Sequence, residues 1–156
     1  MNRFGRAVLR GTGALLVALA VGNTWAGEFS DKVERVFSPS VIKSAEESGS
    51  TGRVEFKKPD RQPDYFENGD KANKVFAIDS VRVFRDLPTI QRLIFKVPRA
   101  GSIQTLDVTR SQVEQHYEIS LSDLATNPSN WREGFIQPFD NKKSRADFAE
   151  RFVTQK

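Results

Sequence analysis

The chain has 156 residues, with 24 Lys and Arg against 20 Asp and Glu, a single His and no Cys. Without cysteine there is no thiol nucleophile, no disulfide and no thiolate-bound zinc, and one histidine does not complete the usual imidazole ligand sets. Three of the 24 cations (Arg3, Arg6 and Arg10) and none of the acids fall in the first 26 residues, which leaves 21 against 20 and no basic excess of the kind that marks nucleic-acid binding.

Those first residues join a basic start to an apolar run from Ala14 to Val21 and close on Thr24-Trp25-Ala26, with small residues at the last and third-last positions. This is the form of a secretory signal peptide over residues 1–26, because the apolar run falls short of the ~20 residues a bilayer span needs. The expected product starts at Gly27, carries no lipobox cysteine and is periplasmic or secreted. Nothing after Val21 is apolar enough to insert stably in a membrane. One ordinary core suits a product of this length.

Phe29, Val33, Val36 and Phe37 share one face of a short helix that Ser30 can cap. A second is expected from Ser38, with Pro39 at its first position and Val41, Ile42 and Ala45 buried. From Glu46 to Lys74 turn formers and charges prevail, relieved by Val54-Glu55-Phe56, a short edge strand, and by the anchoring pair Tyr65-Phe66. Few apolar residues are present to offset the entropy of ordering, so residues 27–73 read as a flexible arm with short helices and 74–156 as the compact domain. The oxygen-rich stretch from Asp64 to Asp70 lacks the ligand spacing of a calcium loop and reads as an Asn-Gly turn.

Val75 to Arg85, Ile90 to Val97 and Ile103 to Val108 have strand composition and are separated by turns at Asp86 to Thr89 and Pro98 to Ser102. Pairing the first two places Ile78, Phe84, Leu93, Phe95 and Val97 on a core face and sets Asp79 opposite Lys96. The other face then carries Val75, Ala77, Val81, Val83 and Ile94, too apolar to stay wholly wet. Thr109 to Gln112 is a capping box for a helix reaching Tyr117, Ser120 to Ala125 gives another turn, and a last helix from Ser144 presents Phe148, Ala149, Phe152 and Val153. The expected class is α+β: a three-stranded or larger antiparallel meander packed against C-terminal helices, with a loosely ordered N-terminal arm.

Chemistry is sparse. His116 has Glu114 and Glu118 two positions away, pointing to other helix faces, and no nucleophile elbow, phosphate loop or dinucleotide fingerprint occurs. Twenty acids allow a carboxylate pair, but no spacing selects one. Between residues 82 and 110 six basic side chains stand against two acidic ones. With Lys96 paired, Arg85, Arg92, Arg99 and Arg110 remain for an anionic envelope polymer such as lipopolysaccharide or peptidoglycan, unless they only blunt exposed strands. Trp131 and Phe139, in a loop with Asn127, Pro128, Gly134 and Pro138, suit contact with a protein or glycan. The expectation is an exported, non-enzymatic binding or accessory protein that needs no cofactor and meets another envelope protein. A polymer binder using the arginines and a small carboxylate-dependent hydrolase are the alternatives.

Overall fold

A computed structural model describes residues 27–68 and 70–156, so the expected signal peptide lies outside the described residues. Strands β3 (Arg92–Arg99) and β4 (Ser102–Thr109) form a hairpin whose register runs from Arg92 opposite Thr109 to Arg99 opposite Ser102. Its two-residue turn holds Ala100 at φ 51° and Gly101 at φ 74°, the pair of left-handed residues whose twist matches the flanking strands. Along β3 the period of two is kept: Leu93, Phe95 and Val97 are buried while Arg92 and Lys96 meet solvent.

The chain is α+β, as its composition of strands and helices implied, but the sheet is assembled differently. Among the described residues five strands lie in the order β1-β2-β3-β4-β5, where β1 is Ile42–Ser48, β2 is Thr51–Phe56 and β5 is Val153–Gln155. All neighbours are antiparallel except β2 and β3, which run parallel with Thr51 beside Arg92 and Glu55 beside Lys96. A parallel pair cannot be closed by a tight turn and needs a long crossover, usually a helix. That crossover is α2, in which Lys71–Lys74, a π-helical turn Val75–Asp79 and Ser80–Asp86 follow one another without a break.

Here the expected strand from Val75 to Arg85 is overturned, and with it the Asp79–Lys96 pairing. Val75, Phe76, Ala77, Ile78, Ser80, Val81, Val83 and Phe84 are all buried, so α2 is enclosed on most sides by the sheet and the other helices. An enclosed helix loses its polar stripe and comes to resemble a buried strand in composition. The remaining charges still mark its outer side: Lys71, Lys74, Asp79, Arg82 and Arg85 recur at helical spacing if the step from Lys74 to Asp79 absorbs the residue that the π turn inserts. The apolar second face inferred from a strand therefore does not exist; of its members only Ile94 lies on the sheet.

The loose arm over 27–73 is corrected as well. Helix α1 (Glu28–Val36) buries Phe29 and Val33, the 3-10 turn Pro39–Val41 buries Val41, and β2 buries Val54 and Phe56. Phe56 packs edge-on against Phe37, Phe66 and Phe95 at centroid distances of 4.9, 6.0 and 5.5 Å, so residues on both sides of position 74 share one core. Apolar residues are sparse in this third of the chain, but nearly every one is used. Val54-Glu55-Phe56 is not an edge strand: β2 lies inside the sheet, and β1 takes the edge. The helix expected from Ser38 stops after one turn, because the chain must extend from Ile42 to pair with β2.

Among the described residues, helices cover one face of the sheet only. After β4 come α3 (Arg110–Tyr117), α4 (Leu121–Leu124), α5 (Pro128–Trp131, a π-helical turn Arg132–Ile136, then Gln137–Phe139) and α6 (Lys142–Phe152). The capping box at the start of α3 is formed in full, with Gln112 N–H donating to Thr109 Oγ1 at 3.2 Å and Thr109 N–H donating to Gln112 Oε1 at 2.9 Å. A second aromatic cluster joins these helices: Tyr117 stacks on Phe148 at 5.5 Å and meets Phe135 edge-on at 5.0 Å. No helix among the described residues is long and apolar enough to cross a membrane.

Candidate functional site

The four arginines singled out by sequence do not form one surface. Arg92 lies on the helix-free face of the sheet, where its Nε and Nη2 donate to the two carboxylate oxygens of Asp107 at 2.7 and 2.6 Å. This hydrogen bonding holds Asp107 below the usual carboxylate range. Arg85 and Arg110 lie on the helical side, at the C-terminal end of α2. Arg110 Nη2 donates to the carbonyls of Phe84 and Leu87 at 2.6 and 2.8 Å, and its Nε donates to that of Ile90 at 3.0 Å. Its charge is thereby spent on the negative end of a helix. Arg85 donates to Asp86 at 2.5 Å and covers the Trp131 ring at 4.2 Å, and Lys32 of α1 reaches the other oxygen of Asp86 at 3.0 Å. Burial would raise the Asp86 pKa, but the hydrogen bonds from Arg85 and Lys32 outweigh it and bring it down. Arg99 points toward the core side, with Nη1 3.5 Å from Asn73 Oδ1.

Trp131 and Phe139 are not on a free loop. Both belong to α5 and are half-buried, Trp131 against Phe135 at 4.7 Å and Phe139 against Tyr117 at 4.8 Å. His116 meets Tyr117, Phe148 and Phe152 edge-on at 4.7, 5.3 and 5.4 Å. Burial and the nearby Arg151 lower its pKa against the pull of Asp147, so its neutral form is favoured. Asp79 is the carboxylate with an unusual titration: burial drives its pKa up to about 6, against Arg82 and Lys74, while Asp140 adds to the rise. It lines none of the five main surface depressions. Among the described residues no group of three or more His, Asp or Glu is arranged to hold a metal ion.

Three of these depressions have a structural explanation or none that selects a ligand. The one beside Lys32, Arg85 and Arg110 surrounds the capped end of α2, so its cations face Asp86 and backbone carbonyls. Another lies among Ser38, Lys57, Arg61 and Tyr65 on the connection that follows β2, and the third sits on the helix-free sheet face between Arg53, Glu55 and Lys96.

The remaining two, of about 360 and 370 Å³, share Ser30, Ala45 and Glu46 and form one trough along the outer edge of β1. Its origin is local. Gly52 on β2 has no side chain, so the Phe29 ring drops onto the sheet and brings α1 down beside β1: a Cβ built on Gly52 would stand 2.5 Å from Phe29 Cζ. The helix supplies one wall through Ser30 and Glu34, and the strand supplies Ala45, Glu46 and Glu47. β1 pairs only with β2, and among the described residues no strand occupies its other side. Sequence reading missed this site because it rests on β1 being a strand. The available signal was Gly49-Ser50, a two-residue hairpin turn with Gly49 at φ 60°, followed by the alternating Gly52, Val54 and Phe56 of β2.

No protein-family model matches the chain, and no curated protein or solved structure is detectably similar to it.

Proposed function

We propose that the chain is an exported, non-enzymatic binding protein of a bacterial envelope, an accessory component that meets another envelope protein at the open edge of its sheet. The trough along β1 carries this reading: a strand edge beside a helix wall offers backbone hydrogen bonding to an incoming chain, which is a general mode of protein recognition. The basic, apolar and small-residue order of positions 1–26 supports export. An anionic polymer has less in its favour, since Arg85, Arg92 and Arg110 already donate to groups of the chain itself. Hydrolysis lacks a concave pair of carboxylates that includes Asp79, the acid whose pKa is raised.

In-situ crosslinking in the native envelope, followed by purification and mass spectrometry, tests the reading. The expected result is a chain beginning at Gly27 linked to a defined protein in a complex that survives high salt. A chain retaining Met1 in the cytosol, or one recovered only with salt-sensitive polysaccharide, overturns it.

A further inference from the structure

We infer that the β1 edge takes a lysine- or arginine-bearing extended segment of the partner as a sixth strand, a proposal that rests on the protein-binding reading above. β1 is seven residues long, about 23 Å at the ~3.3 Å rise of a strand, and the trough follows it from Ile42 to Gly49. Edge strands are commonly protected by charged side chains, a proline, a bulge, extreme shortness or a covering helix. β1 has no proline, and its one irregularity, between Ile42 and Ser44, leaves Ser44 to Ser48 regularly paired with β2. Among the described residues that stretch has no strand partner on its outer side, and what guards it is the like charge of Glu46 and Glu47, which a basic strand would neutralise.

Charge selects the occupant. The trough is lined by Glu34, Glu46 and Glu47 against one base, Lys43, in a product that is otherwise almost neutral. Lys43 is itself held by Glu55 at 3.1 Å. Glu46 and Glu47 are neighbours on a strand, so they point to opposite faces of the sheet, and a basic residue at either parity of an added strand meets an acid. On the helix side Glu34 adds a second acid. Arg53 stands opposite Glu46 but on the inner, β2 side, away from the incoming chain. A second copy of β1 fits less well, because it brings two more glutamates and its lysine lies in the irregular end. Half-buried Ala45 leaves room between the acids for a small or branched apolar side chain.

The test uses the protein purified as the cell processes it, with three capped seven-residue probes. The first alternates lysine with valine, the second replaces each lysine by glutamate, and the third is the lysine peptide methylated at alternate backbone nitrogens. Affinity is read by fluorescence anisotropy, and occupancy by hydrogen exchange over residues 42–48. The lysine peptide is expected to bind, to slow exchange in β1, and to weaken by about tenfold or more in Glu46→Lys/Glu47→Lys, whose exposed sites keep the fold with only a small drop in melting from the new cation opposite Arg53. Methylation should abolish the protection, and the glutamate peptide should not bind. Equal affinity for both charge versions, or binding without protection of β1, overturns the proposal. So does protection of β1 before any peptide is added, which would assign the edge to residues 1–26 or to a second copy; sedimentation separates these two. If the crosslinked envelope partner is recovered equally well with Glu46→Lys/Glu47→Lys, the protein-binding reading stands and the β1 edge is not its site. If the peptide behaves as expected and no envelope partner exists, the edge chemistry stands and that reading falls.

Discussion

Replacing Asp79 by asparagine should make the protein more stable at neutral pH and leave it nearly unchanged in acid. The carboxyl lies on the outer side of α2 but is only 14% exposed, facing Arg82 at 3.8 Å, with Lys74 and Asp140 nearby. Its pKa rises from the ordinary 3.8 to about 6, chiefly through burial. A raised acid pKa means that the native state holds the proton more tightly than the unfolded chain does, so the neutral group's contribution is complete below pH 3.8 and is lost as pH climbs through 6. A displacement of about two pH units at ~1.4 kcal/mol each corresponds to roughly 3 kcal/mol by pH 8. The asparagine side chain carries no charge to bury at any pH, but it gives up the attraction to Arg82, so this figure is a ceiling. Urea melts of both proteins at pH 4, 5, 6, 7 and 8 read the difference directly. The two stability profiles should coincide near pH 4 and separate by about 1–3 kcal/mol in the variant's favour by pH 8. Parallel profiles, or a variant that falls behind as pH rises, would refute the reasoning.

Three further substitutions probe the framework around the trough and the helix end. Gly52→Ala places a methyl against the buried Phe29 ring and within 3.0 Å of Leu93, and should cost about 1–3 kcal/mol in chemical denaturation, with partial recovery in Gly52→Ala/Phe29→Leu. Ala100→Gly relieves a left-handed alanine at φ 51° in the β3–β4 turn and should raise stability by about 0.5–1 kcal/mol, seen as a higher melting temperature. Arg110→Ala strands the carbonyls of Phe84, Leu87 and Ile90, and a loss of about 2–3 kcal/mol is expected, with faster amide exchange at the C-terminal end of α2 as its local signature.

What could be read from sequence depended on how locally each element is determined. The β3–β4 hairpin and the Thr109 capping box are fixed by residues within a few positions of each other, and both appear as expected. Phe148 and Phe152 also fall on one side of α6, although the helix starts at Lys142 rather than Ser144 and is capped by Asn141, with Ser144 N–H donating to Asn141 Oδ1 at 3.0 Å. α2 was misread because burial on most sides removed the polar stripe that distinguishes a helix, and its π turn shifted the phase of the charges that remained. The N-terminal third looked loose because its apolar residues are few, and sequence does not reveal that Gly52 and Phe29 interlock. The arginines failed as a group for the same reason: once α2 is a helix, Arg85 moves to the opposite side of the sheet from Arg92. The trough required all of these placements at once and had no local signature beyond its hairpin turn.

The parallel pairing of Thr51 with Arg92 also sets a timetable for the chain as it emerges from its N-terminus. The β1–β2 hairpin can close early, with Phe29 over Gly52 and Phe56 against Phe37 and Phe66, yet Phe95 and the buried side of the crossover helix complete this core only when β3 has arrived. For the interval before β3 is made, the apolar face of the first hairpin lacks its full cover, and a chain cut before β3 is expected to aggregate. The β3–β4 hairpin, appearing last among the large strands, acts as the latch that ends this vulnerable interval.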